Sequence, residues 1–356
     1  MDTISVVDPL TGNELHVIDS HSAADVALIF DSARKTQPAW AATEPKVRSK
    51  IARRIVDSMI ENQETIMDLL QAETGKSRAH AFEEITGSLG AIGYYAKVTP
   101  KLMKRKSVRS GAPFMLSAYV EPAPVGVVGI ITPWNYPLAL TMMDVIPALM
   151  AGNAVVQKAD NQTAKTVQLA RKLSVEAGIP EHIWQVVHGE PAVVGNAVTD
   201  NADYVAFTGS TATGTIVAQR AASRLIGYSL ELGGKNPMIV LPGADLNQAA
   251  ETAIGGAFGN SGQLCVSIER LYVPQHSLKD FEQILKAKVE SLKLGNSDKF
   301  DFDLGALTSS AQLERVSGFV ERAAKEGAEI LTGGKPLPEI GPNFFAPTVI
   351  TNIPHG

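Results

Sequence analysis

The sequence predicts an α/β protein built around a parallel sheet, and three observations carry the prediction. Short apolar, β-branched runs recur at 125–132 (VGVVGIIT), 153–159 (NAVVQKA), 183–189 (IWQVVHG) and 203–209 (DYVAFTG). Segments of helical period at 138–151, 164–177 and 190–199 separate them, as βαβ units require. The composition, 45% hydrophobic and 19% charged, is that of a folded globular protein and excludes collagen-like and disordered classes. A length of 356 residues suggests about two domains.

Taken in order, residues 22–37, 46–72 and 76–96 carry apolar side chains at helical spacing, as in Ile51, Ile55, Met59 and Ile66, with charge opposite. The stretch 103–123 is basic at first (Lys104, Arg105, Lys106, Arg109) and ends in FMLSAYVEPAP, with Gly111 and Pro113 where a turn belongs. It reads as a projecting hairpin whose charges form a solvated face, an anion site being the alternative. Right-handed crossovers between the four apolar runs put their following loops on one edge, where ligands bind in open α/β sheets. That edge holds Thr132-Pro133-Trp134-Asn135, Lys158-Ala159-Asp160-Asn161, His188-Gly189-Glu190 and Thr208-Gly209-Ser210. A second α/β region follows residue 235: strands NPMIV and RLYV, and helices at 245–258, 277–291 and 310–326. The final FFAPTVITNIPHG reads as a strand entering a turn, so the chain is expected to stop within a domain.

Charge and cysteine usage narrow the function classes. The net charge of −5 gives no overall basic field for nucleic acid. A single cysteine, Cys265, excludes an intrachain disulfide and fits a reducing compartment. With no charged flank ahead of an apolar leader and no run near the roughly 18 apolar residues of a membrane span, a cytoplasmic protein without membrane association is expected.

Individual motifs leave alternatives open. Gly209-Ser210-Thr211-Ala212-Thr213-Gly214 could receive a phosphate on free amides at a helix start, or could be a helix cap and nothing more. Phe258-Gly259-Asn260-Ser261-Gly262-Gln263-Leu264-Cys265 is a glycine-rich approach to the thiol, which suits either a reactive cysteine or an inert buried one. Glu231-Leu232-Gly233-Gly234-Lys235 places a carboxylate at the end of an apolar strand. Burial there would raise its pKa for general-base work, whereas a surface pair with Lys235 would give it no catalytic role. The Asn135 amide could donate to an oxyanion, or Pro133-Trp134-Asn135 could be a simple turn.

In combination, Pro133-Trp134-Asn135, Lys158, Phe207-Thr208-Gly209-Ser210-Thr211, Glu231-Leu232-Gly233-Gly234-Lys235 and Gly262-Gln263-Leu264-Cys265 resemble the aldehyde dehydrogenase superfamily. The likeness runs from about the first helix to the last residue. GQLCVSIERLYV, FTGSTATG and SLELGGKNPMIV look most like its NADP-dependent succinate-semialdehyde dehydrogenase branch. The resemblance implies a Rossmann-type cofactor domain from 1–102 with 124–232, an oligomerisation hairpin at 103–123, and a second α/β catalytic domain, incomplete here, at 233–356. It also implies homo-oligomers, dimeric or tetrameric, in the full-length form.

The roles it implies are these. Cys265 attacks an aldehyde as the thiolate, and the Asn135 side chain and the Cys265 amide hold the oxyanion. Hydride leaves for a nicotinamide, and Glu231 activates the water that opens the thioester. Lys158 meets the adenosine ribose or a 2′-phosphate, and Gly209 and Ser210 meet the pyrophosphate. Thr132, Pro133, Trp134, Asn161 and Leu232 also line the cofactor, and no metal is implied. Asn161 stands where NAD-preferring members commonly have a repelling Glu, which points to NADP, with NAD as the alternative. Gly259 stands where many succinate-semialdehyde enzymes have an arginine, and Asp144, after Met143, where many members have a lysine. A Glu-x-Phe-Gly-Pro segment expected after Pro347-Thr348-Val349 is absent, so low or no dehydrogenase activity is expected of this chain. The competing expectations are a truncated product that only binds nucleotide or assembles, and a thiol esterase that needs no cofactor.

Overall fold

The computed structural model describes residues 2–112 and 114–353, so Pro113 of the expected turn and the last three residues of the chain lie outside it. Strands β1 (Thr3–Val7) and β2 (Glu14–Asp19) form a ribbon. Helix α1 (Ala23–Ala41) opens on a capping box, in which Ser22 Oγ accepts the Asp25 amide at 3.2 Å and the Asp25 carboxylate accepts the Ser22 amide at 2.8 Å. The helical period at 46–72 resolves into two helices, α2 (Pro45–Glu61) and α3 (Gln63–Thr74). The break falls at Asn62, whose side-chain amide donates to the Ser58 carbonyl at 2.8 Å and so satisfies the end of α2. Helix α4 (Arg78–Leu102) leads into the antiparallel pair β3 (Lys106–Val108) and β4 (Ala118–Val120). The basic residues there are exposed, and the Arg105 guanidinium lies 3.7 Å from the centre of the Tyr119 ring.

The expected parallel sheet follows. Strands β5 (Val127–Ile131), β6 (Ala154–Lys158), β7 (Trp184–Val187), β8 (Tyr204–Gly209) and β9 (Gly227–Leu232) lie in the order β7-β6-β5-β8-β9. The β5·β6, β6·β7 and β5·β8 pairings are parallel. The crossover helices are α5 (Pro137–Met150), α6 (Ala164–Glu176) and α7 (Pro191–Asn201), and α8 (Thr211–Ser223) joins β8 to β9. Helix α7 lies so close to β5 that a Cβ on Gly129 would come 2.9 Å from both Ala202 Cβ and a Val198 methyl, which requires glycine there. One buried polar group crosses the layer. Gln157 donates to Thr132 Oγ1 (2.9 Å) and Thr141 Oγ1 (2.7 Å) and accepts from the Trp184 indole (3.1 Å), so both amide hydrogens and the oxygen are engaged.

Beyond β9, strands β10 (Asn236–Ile239) and β11 (Ile268–Tyr272) pair in parallel across α9 (Leu246–Phe258). Helices α10 (Leu278–Glu290) and α11 (Ser310–Lys325) follow, with β12 (Glu329–Thr332) antiparallel to β13 (Val349–Thr351). Val240, Ala250, Ala253, Phe281, Leu285 and Val289 make the core of this region. The chain divides into two compact units. One contains Met1–Ile4, Ile18–Ile66 and Glu84–Glu231, and the other Ser5–Val17, Met67–Glu83 and Leu232–Gly356. Among the described residues no helix is long and apolar enough to cross a membrane.

Within the first unit, Glu84 of α4 accepts the amides of Leu138 (2.7 Å) and Ala139 (3.1 Å), while Pro137 at the first helical position has no N–H to satisfy. The carboxylate is a buried cap for α5. Glu84→Ala is expected to lower stability by about 2–3 kcal/mol, and Glu84→Gln, which keeps an acceptor, by about half of that. Urea unfolding of the two variants measures the difference.

Candidate active site

In the first unit, residues from the ends of β5, β6, β7 and β8 gather at the carboxyl edge of the sheet. Thr132, 2% exposed, donates its amide to the Lys158 carbonyl at 3.1 Å, which closes the ends of β5 and β6 together. Pro133, Trp134 and Asn135 follow in the loop before α5 and are half-buried.

Lys158 is 5% exposed. Burial pushes its ammonium below the usual lysine range, and Asp160 and Glu190 oppose that only in part. Both carboxylates have work elsewhere, since Asp160 caps the Gln162 amide at 2.9 Å and Glu190 the Val193 amide at 2.6 Å. Among the described residues no carboxylate lies within ion-pair distance of Lys158.

His188, directly after β7, is 2% exposed. Burial, then Lys158, His21 and Lys165, push its pKa down to about 3, so it is neutral. Its Nε2 faces the Gln168 amide nitrogen at 3.2 Å, a donor, which assigns the proton to Nδ1. Nδ1 is buried and has no partner among the described residues. Asn161 is joined to the next loop by two reciprocal bonds: its Nδ2 donates to the Gly189 carbonyl at 2.9 Å, and its Oδ1 accepts the Gly189 amide at 3.1 Å. Ser210 caps α8 by accepting the Thr213 amide at 3.3 Å, and the Thr211 and Ala212 amides of the same first turn have no acceptor among the described residues.

Glu231 differs from its expected setting. It is exposed, because β9 is the last strand of the sheet, with β8 on one side only, and most of its residues are open. The buried-strand argument for general-base work does not apply to it. The carboxyl whose pKa is raised is Asp144 of α5, half-buried and held up to about 6 by burial first and by the charge of Glu231 second. The alternative pairing of Glu231 with Lys235 is also absent, since Lys235 forms its ion pair with Glu269.

Leu232, half-buried, opens the second unit, and the cysteine belongs there too. Cys265 is exposed and free, which removes the inert buried reading. Its approach is a left-handed turn: Asn260 at φ 50, Ser261 at φ 57 and Gly262 at φ 76. Glycine takes this conformation readily, but for each of the other two it costs on the order of 1 kcal/mol or more. The turn is tied on several sides. Ser261 Oγ donates to the Gly305 carbonyl at 2.9 Å. Gln263 Oε1 accepts the Thr308 amide at 3.1 Å, and its Nε2 donates to the Asn260 carbonyl at 3.2 Å. Asn236 of β10 donates to the Cys265 carbonyl at 2.8 Å and to the Ser267 carbonyl at 2.9 Å. The Cys265 amide has no acceptor among the described residues, so a donor remains beside an open thiol. Sequence reasoning placed His188 on the ligand edge, Asp144 at a departure from the family pattern, and Ser261 and Gln263 in the approach to the cysteine, but gave none of them a role, and it did not point to Asn236. Among the described residues no cluster of His, Cys, Asp and Glu could hold a metal ion.

An aldehyde dehydrogenase family model matches residues 1–356. A Mycobacterium bovis protein that bears the provisional name succinate-semialdehyde dehydrogenase [NADP(+)] 2 is 46% identical over 351 residues, which cover 99% of this chain and 68% of that protein. The succinate-semialdehyde dehydrogenase structure from Burkholderia pseudomallei superposes with a TM-score of 0.95 at 32% identity, covering 99% of this chain and 73% of that one. The NAD+ complex of an aldehyde dehydrogenase from Bacillus cereus gives a TM-score of 0.94 at 31% identity, covering 99% and 72%. The chain belongs to the aldehyde dehydrogenase family, whose chemistry is aldehyde oxidation.

Proposed function

We propose that this chain oxidises a semialdehyde, such as succinate semialdehyde, to the carboxylic acid through a covalent bond to Cys265, with NADP preferred and NAD as the second cofactor. The observation that carries the proposal is the exposed, unpaired thiol at the end of a strained turn, with an unused backbone donor beside it. A free thiol used in this way belongs in a reducing compartment such as the cytoplasm. The relatives support the cofactor and substrate class, since NADP is in the name of the mycobacterial protein and succinate semialdehyde in that of the Burkholderia pseudomallei enzyme.

The carboxyl edge fits the phosphorylated adenosine end of such a cofactor. Among the described residues Lys158 is a buried cation without an ion-pair partner, and it is one of the charges that hold the nearby His188, with its orphaned Nδ1–H, neutral. Ser210 and the open amides of α8 would receive the pyrophosphate. Thr132, Pro133, Trp134, Gly209 and Leu232 would line the remainder. When bound, the nicotinamide supplies the hydride acceptor.

The side chains do the rest. The Cys265 thiolate forms the C–S bond, and charge passes to the carbonyl oxygen, where the Cys265 amide and the Asn135 side chain donate to it. After the hydride has left, Glu231 takes a proton from the water that attacks the thioester, and the thiolate departs. Asp144 beside Glu231 keeps its proton in mildly acidic solution and gives it up as pH rises through about 6. The apolar side chains of Phe114, Met115, Leu116 and Val120 stand exposed on and around the hairpin, and we assign to them the contact that joins copies of the chain.

Incubated with succinate semialdehyde, the chain is expected to reduce NADP slowly, yet faster than NAD, and Cys265→Ser to abolish that rate. NADP reduction untouched by the substitution would remove the cysteine from the reaction. For Asp144, a folded-state pKa above the unfolded value of 3.8 favours the folded state fully below about pH 4, and that contribution is lost as pH rises through about 6. Asp144→Asn is therefore expected to stabilise the chain by about 1–2 kcal/mol at pH 8 and to change little at pH 4, as read by urea unfolding at the two pH values. Light scattering checks the hairpin: Met115→Glu with Leu116→Glu is expected to shift the mass toward that of one chain.

A further inference from the structure

We propose that Ser261 and Gln263 are positioning residues for Cys265, holding the left-handed turn so that the thiol and the amide of Cys265 keep one placement. The proposal rests on the reading of Cys265 as the nucleophile.

The turn is exposed on the Cys265 side, yet it is anchored to a buried floor. Gly305, which accepts the Ser261 hydroxyl, packs so tightly that a Cβ there would lie 2.1 Å from the Gly75 carbonyl oxygen. The Ala306 amide donates to that same Gly75 oxygen at 2.8 Å. Thr308, whose amide is held by Gln263, donates its hydroxyl to the Thr74 carbonyl at 3.1 Å. Thr74, Lys76 and Ser77 are each at most 1% exposed. The two side chains therefore connect a strained, open turn to backbone that cannot move.

Beneath the turn lies a cavity of about 180 Å³ lined in part by Phe258, Ser261, Gly262, Gly305, Leu307 and Thr348. A turn that is unfavourable for Asn260 and Ser261, with space beside it, relaxes when its ties are cut. Asn236 holds the Cys265 and Ser267 carbonyls, and Ser267 Oγ and Asn260 Nδ2 bond within the turn itself, so Ser261 and Gln263 are the side chains that tie the turn to the 304–308 segment.

Because Cys265 is the one cysteine, alkylation by iodoacetamide reads its reactivity without turnover. Rates are measured by mass spectrometry from about pH 6 to 9 for the folded chain, for the chain in urea, and for Ser261→Ala and Gln263→Met. The folded chain is expected to react faster than the unfolded one. Each variant is expected to lose about threefold or more of that rate and to shift its pH profile toward that of the unfolded chain, while staying folded by circular dichroism. Variants that melt at lower temperature but keep the parent's rate and pH profile would make the ties structural only and overturn the proposal, with the nucleophile reading intact. A folded chain that reacts no faster than the unfolded one would overturn both. If Gln263→Met does not fold, Ser261→Gly, which removes the hydroxyl and suits the left-handed backbone, carries the same comparison.

Discussion

The Glu84 carboxylate is the constraint on which the chemistry of the first unit depends. At 1% exposure it cannot be exchanged for water, and it takes the two amides with which α5 begins after Pro137. Those donors would otherwise be buried without partners, an arrangement that native proteins rarely keep. Once the cap is made, the loop from Thr132 to Tyr136 runs between two fixed points, the end of the central strand β5 and the start of a docked helix. Asn135 lies in that loop. Gln157 extends the constraint sideways by tying Thr132 to β6 and, through the Trp184 indole, to β7. Parallel strands bring their carboxyl ends to one edge, but the buried polar bonds decide how tightly the loops there are held.

The second unit solves its problem differently. Its thiol is not presented by a sheet edge but by a helix end, a short irregular turn and three consecutive residues at positive φ. Such a conformation persists only when the surroundings over-determine it, and here the ties come from the 304–308 segment and from β10. An ordinary turn could carry a cysteine at lower cost. Beside the left-handed turn the Cys265 amide is left without an acceptor among the described residues.

These two regions were not equally legible in the sequence. The parallel sheet and its crossovers were plain, because buried strands need long runs of Val and Ile that few other elements tolerate. The break at Asn62 was hidden inside a continuous helical period, since it depends on one side chain capping its own helix rather than on any change of pattern. Glu231 was misplaced for a related reason. SLEL has the composition of a covered strand, but β9 is the last strand of the sheet, and whether a strand is central or terminal is a property of sheet order that local composition does not encode. Cys265 could be found by its glycines, whereas Ser261 in a left-handed conformation could not, because serine carries no propensity for it.

Asn161 shows how one position can serve structure and charge at once. Its amide both donates to and accepts from Gly189, and a carboxylate there could only accept, so the reciprocal brace between the loops after β6 and β7 would be lost. A Glu would also bring a negative charge to Lys158 and neutralise it from within the chain. With Asn in place, Lys158 stays buried and cationic at a real cost in desolvation, Asp160 and Glu190 are turned to helix caps, and His188 is held neutral with a proton and no acceptor. A buried cation and a buried donor left in this state favour an anion that the chain does not supply. A phosphate ester meets both requirements, since it offers charge to Lys158 and acceptor oxygens to the His188 Nδ1–H, whereas a ribose hydroxyl would satisfy the donor alone.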